Sequence, residues 1–200
     1  MNEILPGLHH WTAFHRGIGF DVSSYFVADA AALVDPMLPP EGLAAFAELG
    51  EPRVILLSNR HHYRHSARFV EAFSCPVLCH ESGLHEFEGG PAVEGFGFGD
   101  EVAPGIVALE LDAICPDDSA LRIASKEALA FADGLVHWGR GTLGFVPDQF
   151  MGDDSEGVKR GLRASLERLL REEDFDALLF AHGDPIAAGG REALRSFIET

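Results

Sequence analysis

At 200 residues the chain suits one large domain or two tightly packed halves, and 46% apolar residues are ample for a sizeable core. A formal net charge of −17 and a pI near 4.8 repel phosphate backbones and anionic membrane surfaces, so nucleic acid and membrane are excluded as expected partners and small molecules favoured. Neither the opening MNEILPGLHH nor any later run approaches the roughly 18 apolar residues of a membrane span. Cys75, Cys79 and Cys115 form no disulfide pattern, so a cytoplasmic protein with reduced thiols is expected, with oligomers allowed.

In chain order, VSSYFVADAAALVDP has two apolar β-type runs broken at Ala28, Asp29 and Ala30, the pattern of a hairpin ending at Asp35 and Pro36. PPEGLAAFAELG predicts a helix, with Pro40 near its start, Gly50 as its stop and Leu43, Phe46 and Leu49 on one face. RVILLS is a continuous apolar run of strand length, as in a strand buried on both faces. Directly behind it NRHHYRH gathers His61, His62 and His65 with Arg60 and Arg64. A helix is expected from about Ser66 to Phe73, then a strand in CPVLC and a short helix or turn in ESGLHEF. EGGPAVEGFGFGDEVAPG reads as a loop or ragged edge strand, and its GFGFG lacks the strand-turn-helix setting of a nucleotide loop. IVALELDAI, ALRIAS and ALAFADGLVHW are strand candidates, and GRGTLGFVPDQFMGDD is loop-like. From Ser155 to about Glu172 a helix carries Val158, Leu162, Leu166, Leu169 and Leu170 on one stripe. DALLFAHG is a buried strand ending in His182, and REALRSFIE closes the chain as a helix.

Strands begin each half and helices end it, which predicts two sheets packed face to face with helices outside. Asp35, Asn59, Asp133 and His182 then stand at strand ends along one edge. Polar groups gathered at strand ends mark that edge as the candidate site.

In this order the residues resemble the metallo-β-lactamase superfamily. ALVDP stands where the family has an aspartate after its early hairpin, and VILLSNRHH where it has the H-x-H-x-D-H loop. FADGLV stands at its Gly-Asp motif and LLFAHGDPI at its Gly-His-Gly motif, while CPVLCHE is similar to the strand behind the motif helix. The resemblance spans nearly the whole chain and implies an α/β protein folded as a four-layer αββα sandwich, one domain over residues 1–200. It also implies a metal-dependent hydrolase of ester, thioester, lactone or amide bonds.

The family shares a hydrolytic water between two transition-metal ions, commonly zinc. Laid on its motif without a gap, Asn59 and Arg64 replace histidines, Tyr63 replaces the aspartate, and His61 remains. The later histidine loop reads ICPDDS, with Ile114 at the ligand position and Cys115 beside it. Asp133 and His182 persist. The resemblance therefore implies a degenerate site, with His61, Asp133 and His182 as its metal set and His65 or Cys115 as extra ligands. A single zinc or no metal is expected rather than a dinuclear centre. A catalytic zinc ordinarily takes three protein ligands. A one-residue shift would bring His62 and His65 onto family histidines, so the register stays open here.

Arg64, with Arg60, can instead replace metal charge beside Asp133 and Asp35, because a buried unpaired carboxylate is costly. Three readings follow: a hydrolase with a reduced metal site, a metal-free binder of a small anion in the same cleft, and a non-catalytic interaction subunit. His62, Arg64 and Asp35 are the expected acting groups of a catalytic cleft, with Asn59, Arg60 and Tyr63 facing its ligand. Bland roles stand beside these. Asp133 can order its loop, the His182-Gly183-Asp184-Pro185 stretch is good turn chemistry, and His9, His10, His15, His80, His85 and His137 suit packed or hydrated positions.

Overall fold

Sheet pairing starts at the N-terminus, where β1 (Asn2–Leu5), β2 (Leu8–His15) and β3 (Phe20–Val27) run antiparallel and β4 (Ala32–Val34) returns beside β3. The structure is a computed structural model and describes residues 1–111, 113–139 and 141–200. β5 (Val54–Leu56), β6 (Val77–His80) and β7 (Glu94–Phe96) then add in parallel, completing a seven-stranded sheet ordered β1 to β7. Parallel neighbours need crossovers. The short α1 (Phe46–Leu49) and α2 (Ser66–Phe73) lie on two of them, and Phe46 and Phe69 bury against the outer face of this sheet with Phe26, Ile55 and Val77.

The second sheet repeats the plan. β8 (Glu101–Ala103), β9 (Ile106–Glu110), β10 (Ser119–Ile123) and β11 (Ala128–Phe131) form an antiparallel meander. After a two-stranded ribbon of β12 (Val136–Trp138) and β13 (Thr142–Gly144) comes α3 (Ser155–Glu172). β14 (Ala177–Phe180) then enters parallel beside β11 as an outer strand, and α4 (Gly190–Ile198) closes the chain. Leu166 and Leu169 of α3 and Leu194 of α4 pack on Leu129, Phe131, Leu178 and Phe180. Between the sheets, Tyr25, Val27, Val34 and Leu56 meet the small side chains of Ala108, Ala128, Ala130 and Ala177. Small residues opposite large ones let the layers interdigitate. The result is a four-layer αββα sandwich.

Three elements differ from the sequence expectation. The helix of PPEGLAAFAELG shrinks to a 3₁₀ turn at Leu43–Ala45 and the four residues of α1, because Gly42 (φ 70°) and Gly50 (φ 102°) lie outside helical space at its ends. ALAFADGLVHW divides into β11 and β12, the chain turning over Ala132 to Leu135. The stretch expected as loop contains β13, whose Leu143 packs into the α4 side of the core. No helix among the described residues is long and apolar enough to cross a membrane.

Candidate metal centre

Behind β5 the chain runs through Ser58 and Asn59 into a 3₁₀ turn, Arg60–Tyr63. Asn59 Oδ1 accepts the His61 N–H at 2.9 Å, which bends the backbone as soon as the strand ends. The bend leaves His61 exposed and turns His62 into the interior. There His62 Nδ1 lies 2.9 Å from Asp35 Oδ2 and 3.0 Å from Ser58 Oγ, while Nε2 lies 3.6 Å from Asp133 Oδ1. The same Oδ1 is 3.0 Å from His182 Nε2. The other Asp133 oxygen accepts the Asn59 Nδ2–H at 2.8 Å. Asp35 Oδ1 accepts the Ser58 N–H at 2.8 Å, and the Ser58 hydroxyl donates to Oδ2.

His182 is held by the first sheet although it follows a strand of the second. Ser23 N–H donates to Ala181 O at 2.9 Å, Ser23 Oγ donates to Gly183 O at 2.8 Å, and the Tyr25 hydroxyl donates to Phe180 O at 2.9 Å. Arg64 joins this clasp. Its Nη1 donates to Ser23 O (2.7 Å) and Asp35 O (2.8 Å), and its Nη2 reaches Ala181 O at 3.4 Å. The middle of β3 and the ends of β4 and β14 thus meet on one guanidinium.

The electrostatics are those of a closed charge set. Burial by itself would lower His62, yet the Asp35 and Asp133 carboxylates override it and raise the imidazole to about 9. Burial opposes ionisation of both carboxylates as well, but His62 and Arg64 hold Asp35 below its usual range, and His62 with His182 holds Asp133 far below. His182 is lowered by burial against its bond to Asp133. In a neutral solution without metal, two carboxylates therefore balance His62 and Arg64. Asp118, wholly buried behind Asp133, is pushed up to about 8 by burial and by the Asp133 charge, and its Oδ2 has no hydrogen-bond partner among the described residues.

His62, Asp133 and His182 each offer one donor atom, all within 4.8 Å of one another. Donors bonded to one ion at about 2.0 to 2.2 Å stand about 3 to 3.5 Å apart, close to the 3.0 and 3.6 Å found here. Each remaining face of His62 and Asp133 is already taken, by Asp35 and by Asn59. A histidine ligand that donates its other ring N–H to a carboxylate is the usual outer support of a bound metal. The residues present fit one metal ion.

Around this centre opens a cleft of about 1060 Å³. The strand-end residues Asp35, Asn59, Asp133 and His182 come together as their positions suggested, whereas two assignments exchange places. His61 was expected among the ligands and His62 beside them; His62 is the inward residue and His61 lines the cleft from outside the ligand group. His65 precedes α2, and its Nδ1 accepts the Leu38 N–H at 3.0 Å. Cys115 lines the cleft outside the ligand group, its thiol raised by burial and the nearby Asp118 and Asp117 charges. Tyr63 packs against Phe87 on the outer face of the first sheet and is not a cleft residue. Arg60 pairs with Asp117 by an ion pair and a 2.7 Å bond from its N–H. Arg64 was expected to face the carboxylates directly; with its backbone at φ 44° it donates instead to three carbonyls. No local pattern signals Asp118, whose role depends on Asp133 folding over it; of His9, His10 and His15, the histidines around Trp11 that the sequence offers as an N-terminal cleft wall, His15 lines the cleft.

No protein-family profile matches the chain, and no curated protein matches it either. Solved structures do. DIM-1 metallo-β-lactamase aligns over 98% of this chain and 95% of its own, with TM-score 0.72 and 12% identity. TTHA1429, a metallo-β-lactamase family protein of Thermus thermophilus, aligns over 98% and 80%, with TM-score 0.68 and 19% identity. TTHA1623, solved in a di-iron-bound form, aligns over 92% and 96%, with TM-score 0.67 and 25% identity. With its two sheets, its outer helices and these neighbours, the chain has the metallo-β-lactamase fold.

Proposed function

We propose that this chain is a hydrolase-like protein whose cleft holds a single divalent metal ion on His62 Nε2, Asp133 Oδ1 and His182 Nε2. The observation that carries it is the convergence of three donors within 4.8 Å. An ion held there supplies Lewis acidity and a water activated near neutral pH, suited to an ester, thioester, lactone or amide carbonyl. Asp35 sets the His62 tautomer, and Asn59 fixes the direction of the Asp133 carboxylate. A second ion is disfavoured by this chain's own residues, since Arg64 carries a permanent charge where the family places a histidine.

The test is elemental analysis of tag-free protein after exposure to zinc, manganese and iron and removal of loose ions. About one ion per chain is expected, lost in His62→Ala and His182→Ala. Asp35→Asn is expected to weaken affinity by about 10- to 100-fold while removing no ligand. Protein that retains no metal under any of these conditions would overturn the proposal.

A second reading, a cleft that holds no metal, is favoured by His62 already lying between two carboxylates in a balanced charge set. It predicts protein that retains no ion after exposure to zinc, manganese and iron; one tightly held ion per chain counts against it.

A further inference from the structure

Six large apolar side chains are exposed among the described residues, and four of them border one cleft: Ile18 (44%), Phe20 (67%), Trp138 (40%) and Phe150 (63%). They come from separate parts of the chain. Ile18 and Phe20 sit at the turn joining β2 to β3, Trp138 ends β12, and Phe150 ends a 3₁₀ turn ahead of α3. Scattered apolar residues on a surface need no explanation, whereas a contiguous set around a pocket does. Val22, Ile114 and Val146 continue the apolar lining inward.

The charged groups of the same cleft are nearly all engaged. Arg60 is paired with Asp117, Arg64 with three carbonyls, and Asp133 with Asn59 and the two histidines. Asp21 lies at the rim, where its sign and the net charge of −17 repel anions. At the floor the Asp35 and Asp133 carboxylates already face Arg64 and His62, so neither sign of ligand charge finds an unopposed partner there. A ligand that fits this cleft gains from apolar contact and finds, among the described residues, no unengaged lysine or arginine to grip a carboxylate or phosphate.

We propose that the substrate class of this cleft is a neutral acyl compound, an ester, thioester or lactone without ionised groups, whose extended apolar acyl chain lies along Phe20, Trp138 and Phe150 with its carbonyl at the His62–Asp133–His182 floor. This rests on the hydrolase reading for the carbonyl, while the apolar recognition stands on the rim alone.

Binding can be read without turnover. Trp11 is buried (3% exposed) and its Nε1 donates to Met37 O, so ligand-dependent emission reports Trp138, the other tryptophan of the chain. Straight-chain primary amides from four to ten carbons, which mimic the acyl group and resist hydrolysis, are titrated against the full chain, with matched alkyl sulfonates and alkylammonium ions alongside. The expected result is a blue shift of Trp138 and affinity rising about fourfold per methylene. Amides should bind more tightly than both charged series, and Phe20→Ser with Phe150→Ser should weaken decanamide at least tenfold. Both residues are exposed, and an unchanged thermal midpoint would confirm that the variant folds. No chain-length dependence, or tighter binding of either charged series, would overturn the proposal. So would rim-mediated self-association, seen as concentration-dependent Trp138 emission with no amide response. Metal content and turnover of neutral p-nitrophenyl acyl esters test the hydrolase reading separately: amide binding without metal or turnover overturns that reading and leaves apolar recognition standing, and the converse result does the reverse.

Discussion

Without metal, His62 is held as a cation in a place where burial alone would make it neutral, and its stability contribution has a definite sign. The folded pKa of about 9 lies above the unfolded value of 6.5. The contribution is therefore complete below pH 6.5 and is lost as pH rises through 9. Metal-free protein should lose stability across that window, and His62→Gln should flatten the slope when urea midpoints are compared at pH 6.5 and 9. Asp118, raised to about 8 from 3.8, acts in the same direction over a lower window. Asp118→Asn should thus gain stability relative to the parent between pH 5 and pH 8. Asp35 and Asp133, held low, contribute above the ordinary carboxylate range and lose that contribution only in acid. Arg64 is the remaining charge of the set. Its truncation to alanine leaves three carbonyls short of a donor and the Asp35 and Asp133 carboxylates short of a cation, and a loss of about 3 kcal/mol in denaturant titration is expected.

Among elements, the turn after β5 and the exit of β14 decide the site. The strand-end residues were legible because each follows a run of apolar residues, and a polar side chain at such a point has to face an edge or a cleft. Which of the adjacent histidines faces inward was not legible. That choice depends on the Asn59 bond to the His61 N–H and on Asp35, 27 positions away from His62. Local spacing carries no information about a partner so remote. β13 escaped for a similar reason, since three residues with a terminal glycine become a strand only through pairing with β12. At the β14 exit the dependence on backbone is sharper. Gly183 adopts φ 108°, and a Cβ there would stand 1.8 Å from His137 O. Gly183→Ala should cost at least about 2 kcal/mol through strain and displaced backbone. It should also weaken metal retention, because His182 is the adjacent residue; elemental analysis and thermal melts of one preparation would show both.

For the whole molecule, the order of apolar and polar segments was enough to predict the layered architecture, since a sheet with two apolar faces must be covered on both. The sequence pattern did not reveal that the two sheets are also joined by hydrogen bonds. The Tyr25 hydroxyl donates to Phe180 O and accepts the Phe180 N–H at 3.0 Å, and Ile186 exchanges backbone bonds with Leu178. Along its outer border β14 is consequently sealed. A sealed border offers a neighbouring molecule no ladder to extend. Strand-by-strand polymerisation through β14 would first have to pull Tyr25 out of the core, so the fastening that positions His182 also guards the protein against fibre growth at that border.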